Sequence, residues 1–178
     1  MFDIIPAITL LQPYLNSFKN NLERFRLEAC PTCKMANPWL HGTYPRKPDR
    51  DGGDTSLNPV PIQRFYCSGC GHTSSVLPEC MPPRRWYQWH IQQIALLLYL
   101  SGLSMNAVSK EITPCRQTIT RWVNRFKEKF LPFKNALSTY AAHLGYAADF
   151  SSFWRMVLSQ FSLGEAMRLC HLFGEAIV

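Results

Sequence analysis

A chain of 178 residues, 47% of them hydrophobic, can bury one medium core or two small ones, and its densest apolar run, Ile94 to Leu100, falls far short of the roughly 18 residues a membrane span needs. Nineteen Lys and Arg against twelve Asp and Glu set a formal charge of +7, which points to a polyanionic partner such as nucleic acid or an anionic membrane surface. The amino terminus is interrupted by Pro6 and Pro13 and carries neither a basic region nor a small-residue cleavage pattern, so a secretory signal is not expected; seven cysteines, an odd number, then favour thiols and metal ligands in the cytoplasm over disulfides.

In chain order, Tyr14, Leu15, Phe18, Leu22, Phe25 and Leu27 recur at steps of mostly three or four, which predicts one amphipathic helix ending before Cys30. Residues 1–29 form this amino-terminal helical segment. From Cys30 to Pro83 the texture changes to prolines, glycines and short β-prone pieces: Trp39 to Tyr44, Val60 to Tyr66 and Thr73 to Leu77 predict a small three-stranded unit. Pro45 to Pro59, charged and rich in Gly, Pro and Asp, is expected to be an exposed loop or the tip of a β-arm. No fixed-period repeat and no low-complexity tract interrupts this order.

Cys30-Pro31-Thr32-Cys33 and Cys67-Ser68-Gly69-Cys70 are two turns whose spacing lets both thiolates of each pair reach one tetrahedral ion at about 2.3 Å. Together they predict one structural zinc ion held by Cys30, Cys33, Cys67 and Cys70, with no open coordination position. Gly69 and Gly71 are expected to supply positive φ in the second turn, aiming N–H groups at sulfur. The 33 residues between the pairs exceed the usual ~15–20 and fit an inserted arm. Buried or redox cysteines and an iron–sulfur cluster are the competing readings, and His72 and Cys80 are substitute ligands; His41 reads as a plain loop or strand residue.

Residues 84–131 read as three helices. Trp86 to Leu100 would bury Ile91, Ile94, Ala95 and Leu98; Ser101-Gly102 stops it and Ser104 caps a short helix to Ile112. Thr113-Pro114 then reads as an N-cap with Pro at the first position of a helix running to Phe130, whose apolar stripe is Ile119, Trp122, Val123 and Phe126. This spacing predicts a helix-turn-helix. A helix entering the major groove meets base edges with its first two turns, so Arg116, Gln117, Thr120 and Arg121 are base-contact candidates, and Asn124, Arg125, Lys127 and Lys129 are phosphate candidates. An ordinary three-helix bundle with a solvated basic face is the plainer alternative.

In residues 132–178, Phe150, Phe153, Trp154, Val157, Leu158 and Phe161, followed by Met167, Leu169, Leu172 and Phe173, predict two apolar helices separated near Gly164. They are expected to close the core or form a homodimer face. The fold class is therefore α+β, mainly α: a zinc ribbon, a helix-turn-helix and carboxy-terminal helices.

Cys-Pro-Thr-Cys at 30–33, His41-Gly42-Thr43-Tyr44-Pro45-Arg46, Ile62-Gln63-Arg64-Phe65-Tyr66-Cys67, Cys70-Gly71-His72-Thr73 and the stretch Gly102 to Trp122 resemble the amino-terminal zinc-ribbon and helix-turn-helix modules of bacterial insertion-sequence transposases, and related small bacterial zinc-ribbon proteins of unknown function. The resemblance spans roughly residues 30–130. It implies binding of double-stranded DNA in a mobile-element setting, with Arg46, Lys47 and Arg64 as backbone contacts. It does not imply a reaction: only 48 residues follow Phe130, with Asp149, Glu165 and Glu175 as their acids, so a non-catalytic protein is expected. The alternatives are a truncated transposase and an adaptor of a recombination or transcription complex, for which Phe150, Phe153 and Trp154 would be surface anchors.

Overall fold

Four strands and seven α-helices follow one another in the computed structural model, which describes residues 2–6, 8–20, 22–48 and 57–174. The fold is α+β. The chain divides into two units, Met1–Tyr87 and Gln88–Val178. Among the described residues, no helix is long and apolar enough to cross a membrane.

The first unit holds the sheet. Strands β2 (Trp39–Arg46), β3 (Val60–Tyr66) and β4 (Thr73–Pro78) are the three expected ones, each antiparallel to the next in sequence. A fourth strand corrects the three-stranded expectation: β1 (Phe2–Ile5) pairs in parallel with β4, giving the order β1-β4-β3-β2. Four residues without alternation leave no periodic signal, and β1 becomes a strand because the edge of β4 supplies its partner. β2 is the opposite edge, which tolerates Pro45. A register shift between Leu40 and Thr43 bends β2 where Gly42 takes a φ of 73°, and the buried Gln63 amide donates to the Gly42 carbonyl at 2.8 Å. Residues 49–56 of the expected arm lie outside the described residues.

Helix α1 (Leu11–Asn20) begins earlier than the periodicity suggests, with Pro13 in its first turn, where the missing N–H has no helical partner to lose. The predicted single helix does not reach Leu27: a short 3₁₀ turn, Leu22–Phe25, follows α1. Phe25 and Leu27 are still buried, because this change of path returns them to the sheet. Ile8, Leu11, Tyr14 and Phe25 share one core with Val60, Ile62, Leu77, Cys80 and Met81. Burying each large apolar side chain contributes roughly 1.5–3 kcal/mol. Tyr14 packs edge-on against Phe25 at 5.4 Å, while its hydroxyl donates to the Pro61 carbonyl at 2.7 Å, so the ring is buried without stranding its polar tip.

The second unit is helical: α2 (Trp89–Leu100), α3 (Met105–Glu111), α4 (Arg116–Glu128), α5 (Phe130–Ser138), a 3₁₀ turn at Ala142–Tyr146, α6 (Phe150–Gln160) and α7 (Leu163–Leu172). α2 starts three residues later than expected and buries Trp89, Gln92, Ala95, Leu96 and Leu100, with Ile94 41% exposed. Of the predicted face only Ala95 is fully buried; a helix apolar nearly all round does not encode which side turns inward. Gly102, at a φ of 102°, ends the α2 connection, and the Ser104 hydroxyl accepts the Ala107 N–H at 3.2 Å, as the sequence suggests.

α4 is shorter than predicted at both ends. Cys115, with extended backbone, is its N-cap residue, so Thr113 and Pro114 lie before the helix. It stops at Glu128 because Pro132 has no N–H for the Glu128 carbonyl and its ring would clash there; Lys129 turns the chain and α5 starts anew. The break between α6 and α7 falls at Phe161-Ser162 rather than Gly164, which is buried inside α7. The Ser162 hydroxyl caps Glu165 N at 3.2 Å, and the Gln93 side chain of α2 accepts the Leu163 N–H at 2.7 Å.

Candidate functional site

The two cysteine turns are built alike. The Cys30 N–H donates to the Met35 carbonyl at 2.8 Å and the Cys67 N–H to the His72 carbonyl at 3.0 Å; Lys34 N and Gly71 N return to the carbonyls of Cys30 and Cys67, each at 2.9 Å. Each loop curls back on itself and presents both of its sulfurs on one side. The second turn begins where β3 ends and closes as β4 begins, so the sheet fixes its position.

The structure brings together all four cysteines that the sequence singled out. Their sulfurs lie within 4.8 Å of one another, with Cys30 Sγ and Cys70 Sγ 3.7 Å apart and Cys33 Sγ and Cys67 Sγ 3.5 Å apart. Four sulfurs about 2.3 Å from one ion form a tetrahedron with edges of about 3.8 Å. Among the described residues this is the one group of three or more Cys, His, Asp or Glu able to hold a metal ion, and all seven cysteines are free thiols.

The electrostatics favour a cation. The Cys33 N–H, then the Thr32 N–H and the Cys67 and Cys70 sulfurs, outweigh burial and lower the Cys30 thiol to about 6. At Cys70 the His72 N–H favours the thiolate, but burial and the sulfurs of Cys33, Cys30 and Cys67 prevail and push it up to about 12. Four thiolates cannot share this space unless a positive ion offsets their repulsion.

The substitute ligands stand apart from the quartet. The exposed His72 ring has its Nδ1 2.9 Å from the Cys70 carbonyl oxygen. Cys80 is buried in the core against α1, where burial pushes its thiol up to about 12. His41 lies on the β2 strand with its ring 5.8 Å from that of Tyr66.

Gly71 takes the expected positive φ, 69°, but Gly69 does not; a Cβ on Gly69 would meet Met35 Sδ at 2.5 Å, so that glycine serves close approach instead. Sequence reasoning missed Lys34, which occupies the position equivalent to Gly71 at a φ of 63°. The matching register of the two turns was the signal that could have found it.

On α4, Ile119, Trp122, Val123 and Phe126 are buried as predicted. Arg116, Gln117, Arg121, Asn124 and Lys127 are exposed, and Thr120, Arg125 and Lys129 are partly so. Thr120 Oγ1 donates to the Arg116 carbonyl at 2.9 Å, and Lys127 Nζ lies 4.9 Å from the centre of the Tyr99 ring. None of the α4 cations forms an ion pair with a described acid; Arg26 and Glu23 pair at 3.9 Å. In the first unit, Lys47 is exposed and Arg64 partly buried on β3, while Arg46 is half-buried and donates to the carbonyls of Pro82 and Arg85.

Among the described residues, Asp149 and Glu165 join no group able to hold a metal ion. Asp149 caps α6, Glu165 lies in the first turn of α7, and Glu175 lies outside the described residues. Phe153 and Trp154 are completely buried and Phe150 partly so, which removes the main anchors of the adaptor reading.

Fold and site define an α+β protein with a four-cysteine cluster able to hold a metal ion. The chain belongs to the family described as Domain of unknown function (DUF6431), which matches residues 30–122, from the first cysteine of the cluster to Trp122 of α4. No curated protein and no solved structure matches the chain.

Proposed function

We propose that this is a non-catalytic DNA-binding protein in which one structural zinc ion, held by Cys30, Cys33, Cys67 and Cys70, closes a ribbon formed with β2–β4, and α2–α4 act as a helix-turn-helix. The observation that carries the reading is α4: a buried apolar stripe backs Arg116, Gln117, Arg121, Asn124 and Lys127, with no ion-paired acid among the described residues to neutralise the cations. Guanidinium and amide groups in the first two turns suit base edges in the major groove, and the cations of the last turns suit phosphates.

Zinc is the metal of choice because four thiolates within 4.8 Å suit a single tetrahedral ion, whereas an iron–sulfur cluster distributes its cysteines over several irons. A closed shell offers no position for substrate, so the ion's role is to stabilise the fold. The resemblance to insertion-sequence transposases suggests a mobile-element setting and a recombination complex, the apolar carboxy-terminal helices suggest a homodimer, and the free thiols suit the cytoplasm. The protein–protein adaptor reading is weaker because Phe153 and Trp154, two of the three anchors it called for, are completely buried.

Selection of bound duplexes from a random pool, with and without a zinc chelator, tests the reading. A recovered motif that weakens on Arg121→Ala is expected, while Lys127→Ala lowers affinity for all sequences about equally. With about five phosphate contacts, log affinity should fall against log salt with a slope near −4 to −5. Duplex binding indifferent to salt, or no enrichment from the pool, would exclude it.

A further inference from the structure

The first unit contains a second cationic feature, in which Arg46 and Lys47 meet two further arginines and a tryptophan from beyond the sheet. Pro45, Arg46 and Lys47 at the end of β2, and Arg84, Arg85 and Trp86 beyond the Pro82-Pro83 pair, line a cleft of about 360 Å³. Four of these six residues are cations and none is an acid. Arg46 ties the two walls together by donating to the carbonyls of Pro82 and Arg85, the latter at 2.9 Å. That bond holds the cleft in shape without help from a ligand. Lys47 and Arg84 are exposed and form no ion pair with a described acid. Trp86 is 55% exposed, which leaves an aromatic surface open beside these cations.

We propose that this cleft binds one splayed nucleotide of a single-stranded nucleic acid, its phosphate against Lys47 and Arg84 and its base stacked on Trp86. The bases of an intact duplex already stack on one another, so an exposed indole beside a cationic wall suits a strand whose bases are free. Guanidinium groups match phosphate oxygens in charge and in fork geometry. The volume lies at the small end of ligand pockets, suiting one nucleotide rather than a helix, and a concave cleft does not fit a flat lipid surface. The backbone at Arg84 supports a selected role: it holds a non-glycine residue at a φ of 56°, where glycine would sit with less strain. This site is separate from α4 and does not depend on the duplex reading.

The test is fluorescence anisotropy of a labelled eight-nucleotide oligothymidylate with the full-length, zinc-loaded chain, too short a strand to form a duplex for α4. Saturable binding is expected, with Trp86→Ala weakening it roughly 5- to 100-fold and Trp86→Phe restoring part of the loss. Lys47→Glu should weaken binding too. Arg84→Gly should weaken it while the melting temperature stays level or rises, which separates binding from folding. Lys19→Ala, which removes an exposed cation of α1, should leave the affinity unchanged. Absence of saturable binding, indifference to Trp86→Ala, or equal loss in Lys19→Ala would overturn the proposal. So would binding to phosphatidylserine vesicles without binding to the oligothymidylate.

Discussion

Lys34 and Gly71 hold equivalent places in the two cysteine turns: each follows the second cysteine of its pair, each has a left-handed backbone, with φ of 63° and 69°, and each donates its N–H to the carbonyl of the pair's first cysteine at 2.9 Å. Only one of the two is the residue type that this conformation favours. A side chain in the left-handed region costs roughly 1–2 kcal/mol. Lys34→Gly should therefore stabilise the protein by about 0.5–1 kcal/mol, and Gly71→Ala should destabilise it by about 1 kcal/mol or more. Gly69→Ala is expected to cost less than Gly71→Ala, because Met35 is 47% exposed and its sulfur can move away from the new Cβ. Denaturant midpoints of the three variants measure this order.

Metal content and pH test the quartet. One ion per chain is expected, and Cys33→Ser should weaken its binding by more than the ~10- to 100-fold that loss of a supporting hydrogen bond costs. His72→Ala should leave the stoichiometry intact. Protons compete with the metal for sulfur, so affinity should fall as pH falls. Cys70, near 12, must lose a proton on metal binding at neutral pH, whereas Cys30, near 6, adds its own proton competition only below about pH 6, where the fall should steepen. Competition titrations with a chromogenic chelator between pH 5 and 8 read the slope, and a pH-independent affinity would rule out thiolate ligation.

Trp154 is completely buried against Phe126, Phe133 and Phe153, with ring centres 5.1, 5.9 and 5.3 Å away. Trp154→Ala should cost about 3–5 kcal/mol, as for other large aromatics removed from a core. Trp154→Phe should cost much less, since the indole N–H has no hydrogen-bond partner among the described residues and Phe removes that buried donor. Thermal melts of both variants check the difference, and a Trp154→Ala protein as stable as the parent would return this residue to the surface.

Asp149 caps α6 by accepting the Ser152 N–H at 2.9 Å, while Ser152 Oγ accepts the Asp149 N–H at 3.1 Å. The Ser152 N–H, then those of Ser151 and the Ser152 hydroxyl, hold the carboxyl below its ordinary value of 3.8. For a depressed carboxyl the stabilisation is whole above the unfolded-state value and is lost as pH falls through the lower folded-state value. Melting curves of the parent and of Asp149→Ala should therefore differ at neutral pH and draw together in acid. A gap that stays constant across the acid range would show that the charge plays no part in the cap.

Much of this protein was legible because the informative signals are local. Two Cys-x-x-Cys turns carry their own geometry, and Val60–Tyr66 and Thr73–Pro78 have β-prone composition bounded by turn residues. Ser104 and the α4 stripe follow helix rules that depend only on neighbours three and four positions away. Those features determined the cysteine quartet, three strands and the buried face of α4. Tertiary structure decided the rest, because the deciding partners lie far away in sequence. β1 is a strand only beside β4, and α2, apolar on nearly every side, had no sequence-encoded inner face until its neighbours chose one. The cleft of Arg46 and Trp86 joins segments about forty residues apart through a guanidinium bonded to the Arg85 carbonyl, a contact that no periodicity or motif spacing encodes.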